Sequence, residues 1–424
     1  MSKVLFRNVE VLDGTGAPPF PAQVLVDGNR VAAVATEDVS LPADGAQVID
    51  GHGATLMPGL VESHAHLSFT DIRVGTDLGN TPPEEHTLRT SACARILLEH
   101  GFTSCVSAAS AKPRLDVAVR AAIEAGDIPG PRLLTASPEL TVTSGLGDAR
   151  LSHIYQESFA VVQDGPEGFR RYAREMCREG VDTLKINPSG DTLLPRARSG
   201  QTVMTELEVA AVCSVASAHG RRVAAHARSA ESVKLCVRHG VQIIYHANLA
   251  DEEACDLLEA RRNEVFVAPT IGWTVAMLER GPEFGRARER GERAILESEL
   301  QATIATMREL KRRGVRVLPG GDYGFAWNPN GTNARDIEHF VNLLGFSPMD
   351  AILSATKLGG EIMMLGNELG QIKPGYLADI LLVDGNPLAN VKLLQDADKL
   401  LAIMKDGVFH KAPLTERKVQ RQTA

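Results

Sequence analysis

The chain predicts an α/β fold, a (β/α)8 barrel carrying a small composite β-sandwich domain built from both termini. Three observations lead there. The middle of the chain repeats a short apolar strand followed by a helical stretch, eight times over roughly 300 residues. The two ends are β-rich instead. Histidine, lysine and aspartate stand where successive central strands run out.

The N-terminal part alternates short β-like runs with turn signals. Val4–Leu12, Gln23–Val26 and Arg30–Val34 are such runs, with Asp27-Gly28-Asn29 as a hairpin turn between the last two. Gln47–Asp50 follows. The central strands are Leu56–Val61, Thr103–Ala108, Arg132–Ala136, Thr183–Ile186, Arg222–Ala225, Gln242–Tyr245, Val265–Ala268 and Val315–Leu318. Helical runs lie between them: Pro83–His100, Gly168–Glu179, Thr205–His219, Ala230–His239, Glu252–Ala260 and Arg288–Arg313. Thr205 followed by Glu208 has the spacing of a capping box. Strand texture returns over 370–384, and Lys405-Asp406-Gly407 is a turn between Leu400–Met404 and Val408–Lys411. The expected domains are 1–55 and 366–424 for the sandwich and 56–365 for the barrel. An open doubly wound sheet is the alternative, but it wants a glycine-rich phosphate loop after its first strand, and none follows.

Composition narrows the class. The chain has 424 residues, 44% hydrophobic and 23% charged, with a net charge of -8, so it carries no electrostatic footprint for nucleic acid or an anionic membrane. No apolar stretch reaches membrane-spanning length. Six cysteines without C-x-x-C spacing read as buried thiols of a reducing compartment. The start, Met1-Ser2-Lys3-Val4, lacks the apolar core of a signal peptide, so the cytoplasm is the expected location. Helix-rich outer faces would suit a homo-oligomer.

His64-Ala65-His66 places two imidazoles on the same face of an extended strand. Strand four carries Lys185 within an apolar run, strands five and six end in His226 and His246, and strand eight runs into Asp322. Each has an ordinary reading: a hydrogen-bonded core histidine, a lysine snorkelling from a strand end, a turn aspartate after Gly320-Gly321. In a barrel all six reach the face where barrel enzymes place their chemistry.

With that ordered set, Pro58-Gly59-Leu60-Val61-Glu62-Ser63-His64-Ala65-His66, then Lys185, His226, His246 and Asp322, the chain resembles the amidohydrolase superfamily over nearly its whole length. The resemblance implies a binuclear hydrolase. His64 and His66 would bind the more buried ion and His226 and His246 the more exposed one. Lys185, carboxylated by CO2, would bridge both, and Asp322 would complete the first site. An ammonium cannot ligate, so a lysine at the centre of such a site makes sense as a carbamate. The implied cofactors are two divalent ions, zinc first, with manganese, cobalt or iron as alternatives. The implied reaction is hydrolysis of a C–N bond in an amide, urea or carbamate by a hydroxide shared between the ions, with Asp322 passing a proton to the leaving nitrogen.

Within the superfamily the chain looks most like the branch holding Xaa-Pro dipeptidases and phenylurea and molinate hydrolases. Asn187-Pro188-Ser189-Gly190 and Pro269-Thr270 fit that branch. Thr143-Ser144-Gly145-Leu146-Gly147-Asp148 lacks the Gly-Gly-His-Gly of its dipeptidases. His226-Ala227-Arg228-Ser229 and Tyr245-His246-Ala247-Asn248 resemble the urea and carbamate hydrolases more than the peptidases. Arg228, Tyr245 and Asn248 are the expected substrate contacts; a surface salt bridge and a packed ring are the plainer readings of the first two. Arg228 pairing with a carboxylate would favour an N-acyl amino acid or dipeptide. An apolar pocket around Phe325, Trp327 and Trp273 would favour an aryl or alkyl urea or carbamate. A catalytically inactive scaffold is the remaining alternative.

Overall fold

A computed structural model describes residues 3–36 and 39–413. The first two residues of the signal-peptide reading and the last eleven of the expected 366–424 segment therefore lie outside the described residues. Four strands open the chain: β1 (Lys3–Val11), β2 (Phe20–Asp27), β3 (Arg30–Thr36) and β4 (Ala46–Pro58). Ten follow in the middle: β5 (Leu60–Ala65), β6 (Phe102–Ser107), β7 (Arg132–Leu134), β8 (Ala136–Thr141), β9 (Val161–Val162), β10 (Thr183–Ile186), β11 (Arg222–Ser229), β12 (Ile243–Leu249), β13 (Phe266–Ala268) and β14 (Arg316–Val317). Three close the terminal part: β15 (Ile380–Val383), β16 (Leu400–Lys405) and β17 (Val408–Lys411).

The terminal strands hydrogen-bond in the order β17-β16-β15-β4-β1-β2-β3. Alternating residues of every strand, among them Val4, Phe6, Val24, Leu56, Ile380 and Met404, share one apolar core. Phe6 on β1 and Phe409 on β17 are four strands apart in that order, which in a flat sheet means nearly 20 Å. Their rings are 6.1 Å apart. The sheet therefore folds over itself into the expected sandwich. Its β16–β17 turn uses Asp406 (φ 49°) and Gly407 (φ 72°), the left-handed pair a two-residue hairpin wants. A side chain at Gly407 would collide with the Gly28 carbonyl in the β2–β3 turn, so the two edges of the sheet meet there.

The middle strands form the barrel. β5-β6-β7 and β8-β10-β11-β12-β13-β14 run parallel in chain order, with helices outside. Where the eighth strand returns to the first, the seam is closed by Ser63 Oγ donating to the Pro319 carbonyl at 2.5 Å. Gly320 makes that approach feasible, since a Cβ there would lie 2.7 Å from the His64 Cβ.

Strand limits differ from the sequence reading in instructive ways. Leu56–Val61 is not one strand: β4 carries the terminal sheet to Pro58, and the barrel begins at Leu60. Gly59 is the corner, pressed so tightly on Thr103 that a Cβ would clash with its side chain, and its N–H donates to Asp379 O at 2.9 Å. Strand three is split, β7 pairing with β6 and β8 with β10. The helices Pro83–Glu99, Pro166–Glu179, Glu206–Ala218, Ala230–Arg238, Glu252–Ala260 and Arg290–Arg312 match the six expected ones closely. The capping box is present, with the Glu208 carboxylate accepting from Thr205 N at 2.8 Å. All six cysteines are free and five are buried. Among the described residues no helix is long and apolar enough to cross a membrane.

Candidate metal centre

Each strand hands its side chain to the C-terminal mouth of the barrel. His64 and His66 leave β5 buried at 1% and 2% exposure, rings 5.1 Å apart. Asp322, on the loop after β14, brings Oδ1 to 3.1 Å from His66 Nε2 and 3.7 Å from His64 Nε2. His226 on β11 and His246 on β12 face each other with ring centroids 4.0 Å apart, and His246 is 5.6 Å from His64. Lys185 on β10 is buried at 1% exposure, its Nζ 4.7 Å from the Tyr245 ring centroid. His64, His66, Lys185, His226, His246 and Asp322 all line one cavity of about 220 Å³.

The backbone at these positions is strained where the chemistry needs it. His246 (φ 76°), Ala247 (φ 51°), Thr270 (φ 56°) and Asp322 (φ 56°) all sit in the left-handed region, unusual for residues with side chains. The same turns aim the rings. Thr270 Oγ1 donates to Pro269 O at 2.7 Å, so it must accept from His246 Nδ1 at 2.6 Å. That fixes the proton on Nδ1 and leaves Nε2 with a lone pair. His66 Nδ1 faces the Ala109 carbonyl at 3.4 Å, with the same consequence. In His226 it is Nε2 that meets a carbonyl, that of Gly190 at 3.1 Å, which leaves Nδ1 as its basic nitrogen.

Burial, helped by neighbouring cations, holds His64, His226 and His246 well below the ordinary histidine range, so these rings are neutral. Burial also lowers Lys185. His64 Nδ1 is buried without a hydrogen-bond partner. Neutral imidazoles converging with a carboxylate, one ring with an orphaned buried nitrogen, are a donor set that fits a divalent cation.

The expected substrate contacts lie elsewhere. Arg228 is neither at the surface nor on the cavity wall. It is 1% exposed, clamped to Asp191 Oδ2 at 3.2 Å and Glu299 Oε2 at 3.3 Å, with the Asn248 carbonyl oxygen also 3.3 Å away. Two buried carboxylates engage its Nη1 and Nη2, and it does not line the cavity. Asn248 completes that network by donating to Thr303 Oγ1 at 2.6 Å. Tyr245 packs under the site, its ring 3.8 Å from that of His64 and its hydroxyl donating to Ser63 O at 3.2 Å. Phe325, Trp327 and Trp273 do line the cavity, the last from the helix Ile271–Arg280.

Sequence reasoning missed two acids on the cavity floor. Asp191 follows the Asn187-Pro188-Ser189-Gly190 stretch and comes within 3.5 Å of His226 Nε2. Burial pushes its carboxyl up, against the pull of Arg228. Glu139 lies on β8 beside Lys185 and accepts from Asn187 Nδ2 at 3.0 Å. Its signal was a glutamate in an apolar segment, hidden because strand three was ended at Ala136.

The profile of the amidohydrolase family matches residues 55–409. This chain belongs to the amidohydrolase family. Its curated relatives include ochratoxinase of Aspergillus niger, 24% identical over 95% of this chain and 85% of the relative. Among solved structures, a prolidase complexed with N-methylphosphonate-L-proline superposes with a TM-score of 0.86 and 28% identity, over 97% of this chain and 100% of that one. Molinate hydrolase shares the fold, with a TM-score of 0.76 and 19% identity over 96% of this chain and 94% of that one. The amidohydrolase assignment makes the chain a hydrolase of C–N bonds, and at the barrel mouth His64, His66 and Asp322 form a cluster that could hold a metal ion.

Proposed function

We propose that this amidohydrolase is binuclear and hydrolyses amides, with ureas and carbamates as chemically related substrates. One observation carries the reading: six side chains from five strand ends converge on one buried cavity, with the His64, His226 and His246 rings held neutral. His64, His66 and Asp322 would hold one divalent ion, His226 and His246 the other, and Lys185 as a carbamate would join them. Lys185 supports that role by its burial and by Nζ lying over a tyrosine ring with no carboxylate paired to it among the described residues. When bound, the ions supply Lewis acidity and bring the acidity of a water to near neutral pH.

The chain's own residues do the rest. Asp322, beside the His64 and His66 rings, takes a proton from the attacking water on its carboxylate and delivers it to the leaving nitrogen. Thr270 and the Ala109 and Gly190 carbonyls keep the histidines in one tautomer each. Phe69, Trp273, Phe325 and Trp327 wall the cavity with apolar surface that excludes water and seats a bulky substituent. The likeness to a prolidase at 28% identity supports an amide over a urea as the first substrate to try.

The test is a hydrolysis screen on metal-loaded protein, contrasting N-acyl amino acids with aryl ureas and carbamates, alongside metal analysis. Close to two equivalents of metal per chain with amide turnover is the expected result. No metal uptake, or turnover that survives Lys185→Ala unchanged, would overturn it.

A further inference from the structure

We infer that Arg286, seconded by Arg73, forms an anion subsite at the rim of the cavity, so that the preferred amide carries a carboxylate beyond a bulky apolar body. The inference rests on the amide-hydrolase reading for the nature of the ligand.

The charges lining the cavity sort into two groups. On the floor every acid has a protein partner: Asp322 with His64 and His66, Asp191 with Arg228, Glu139 with Asn187. Lys185 belongs with the histidines. At the rim stand two guanidiniums, Arg73 and Arg286, and neither forms an ion pair among the described residues. That is unusual in a chain with eight more acids than bases, where most buried or half-buried arginines, such as Arg120, Arg132, Arg228 and Arg313, are matched to carboxylates.

Arg286 is also held in place. One Nη2 donates to the Arg73 carbonyl at 3.2 Å, and the guanidinium lies 5.9 Å from the Trp327 ring centroid. A half-buried cation fixed against an aromatic face keeps most of its five N–H donors and much of its field, because apolar walls screen it poorly. A planar carboxylate is the ligand such a fork takes two-handed.

Rings connect this cation to the reaction centre. His66 stacks on Phe69 at 4.0 Å, Phe69 meets Phe325 at 5.7 Å, and Phe325 stacks on Trp327 at 5.1 Å. A ligand with its C–N bond at the histidines and a carboxylate at Arg286 would lay its body along that aromatic row. Arg228 was the sequence's candidate for this role and is spoken for. Arg286 takes its place from the segment that leads into the helix Arg290–Arg312.

The experiment uses a matched pair, 4'-acetamidobiphenyl-4-carboxylate and its carboxamide, in which the biphenyl separates the scissile acetamide from the anion, with metal-loaded wild type, Arg286→Ala and Arg286→Lys. Wild type should prefer the carboxylate in kcat/KM, and Arg286→Ala should cut the carboxylate-to-carboxamide ratio by about 10-fold or more, through KM. Arg286→Lys should recover part of the ratio. A ratio unchanged in Arg286→Ala while both substrates slow together would mean that Arg286 is only a strap, and would overturn the inference. Calorimetric binding of the non-hydrolysable ketomethylene analogue gives a readout independent of turnover. Its affinity lost in Arg286→Ala, with neither amide cleaved by wild type, would retain the subsite and sink the amide-hydrolase reading. Affinity equal in wild type and Arg286→Ala, with both amides cleaved, would do the reverse.

Discussion

Thr270 decides which nitrogen of His246 is free, and that single hydrogen bond has a measurable consequence. Thr270→Val removes the acceptor for His246 Nδ1 and leaves the ring free to present the wrong tautomer. Loss of such an orienting partner typically costs 10–100-fold in metal affinity, so Thr270→Val should release metal to a chelator at correspondingly lower chelator concentration. Arg228 makes the contrasting case. Truncating it to Ala strands Asp191 and Glu299 as buried, uncompensated acids. The expected effect is a stability loss of about 3–5 kcal/mol in denaturant unfolding, where a substrate contact at the surface would have cost almost none. The six residues that the structure brings to one cavity were legible in the sequence because each stands within or at the end of an apolar run. The partners of Arg228 were not legible because they come from remote segments: Glu299 lies 71 residues along, in a helix whose acidic face reads as solvated.

At the scale of elements, the short helix Arg335–Asn342 braces the last strand. Its Asp336 accepts from Gly320 N at 3.0 Å and from the Tyr323 hydroxyl at 3.3 Å, at the root of the loop that carries Asp322. Burial pushes Asp336 up to about 7. The neutral acid is therefore the form the fold favours. Its contribution to stability is complete below the unfolded carboxyl range near 4 and is lost as pH rises through about 7. Asp336→Asn mimics the neutral form at every pH, so the substitution should cost less stability at pH 8 than at pH 5 when thermal midpoints are compared. An equal or larger cost at pH 8 would contradict the placement of this acid. This helix was not legible in the sequence, nor were Leu115–Ala125, Ile271–Arg280, Pro348–Ala355 and Lys357–Ile362. Most run to 8–11 residues or fewer, and several follow strands so short that no periodic pattern separates them from loop. The long helices, with clear apolar faces, were placed to within a few residues.

Across the whole molecule, one arginine couples the two halves of the architecture. Arg132 on β7 reaches from the barrel to Asp379 at 2.7 Å and Asp406 at 2.5 Å, both in the terminal part. Asp379 is 1% exposed at its side chain, so removing the cation leaves a buried carboxyl without its ion-pair partner. Arg132→Met should lower the unfolding midpoint and cost about 1–3 kcal/mol, with proteolysis near the 406–407 turn rising first if the sandwich loosens from the barrel. The barrel-plus-sandwich plan was legible from alternating strand and helix texture and β-rich ends. The corner at Gly59 was not, because a run of apolar residues hides the point where one strand stops serving the sheet and the next starts serving the barrel. All of these features converge on the claim that six side chains at the barrel mouth form one two-ion centre. Anomalous diffraction from crystals grown with zinc and bicarbonate tests it most directly. Two zinc peaks, one beside His64, His66 and Asp322 and the other beside His226 and His246, joined by extra density on Lys185 Nζ, are the predicted result. A single ion, or a bare Lys185 amine between two vacant sets of histidines, would contradict it.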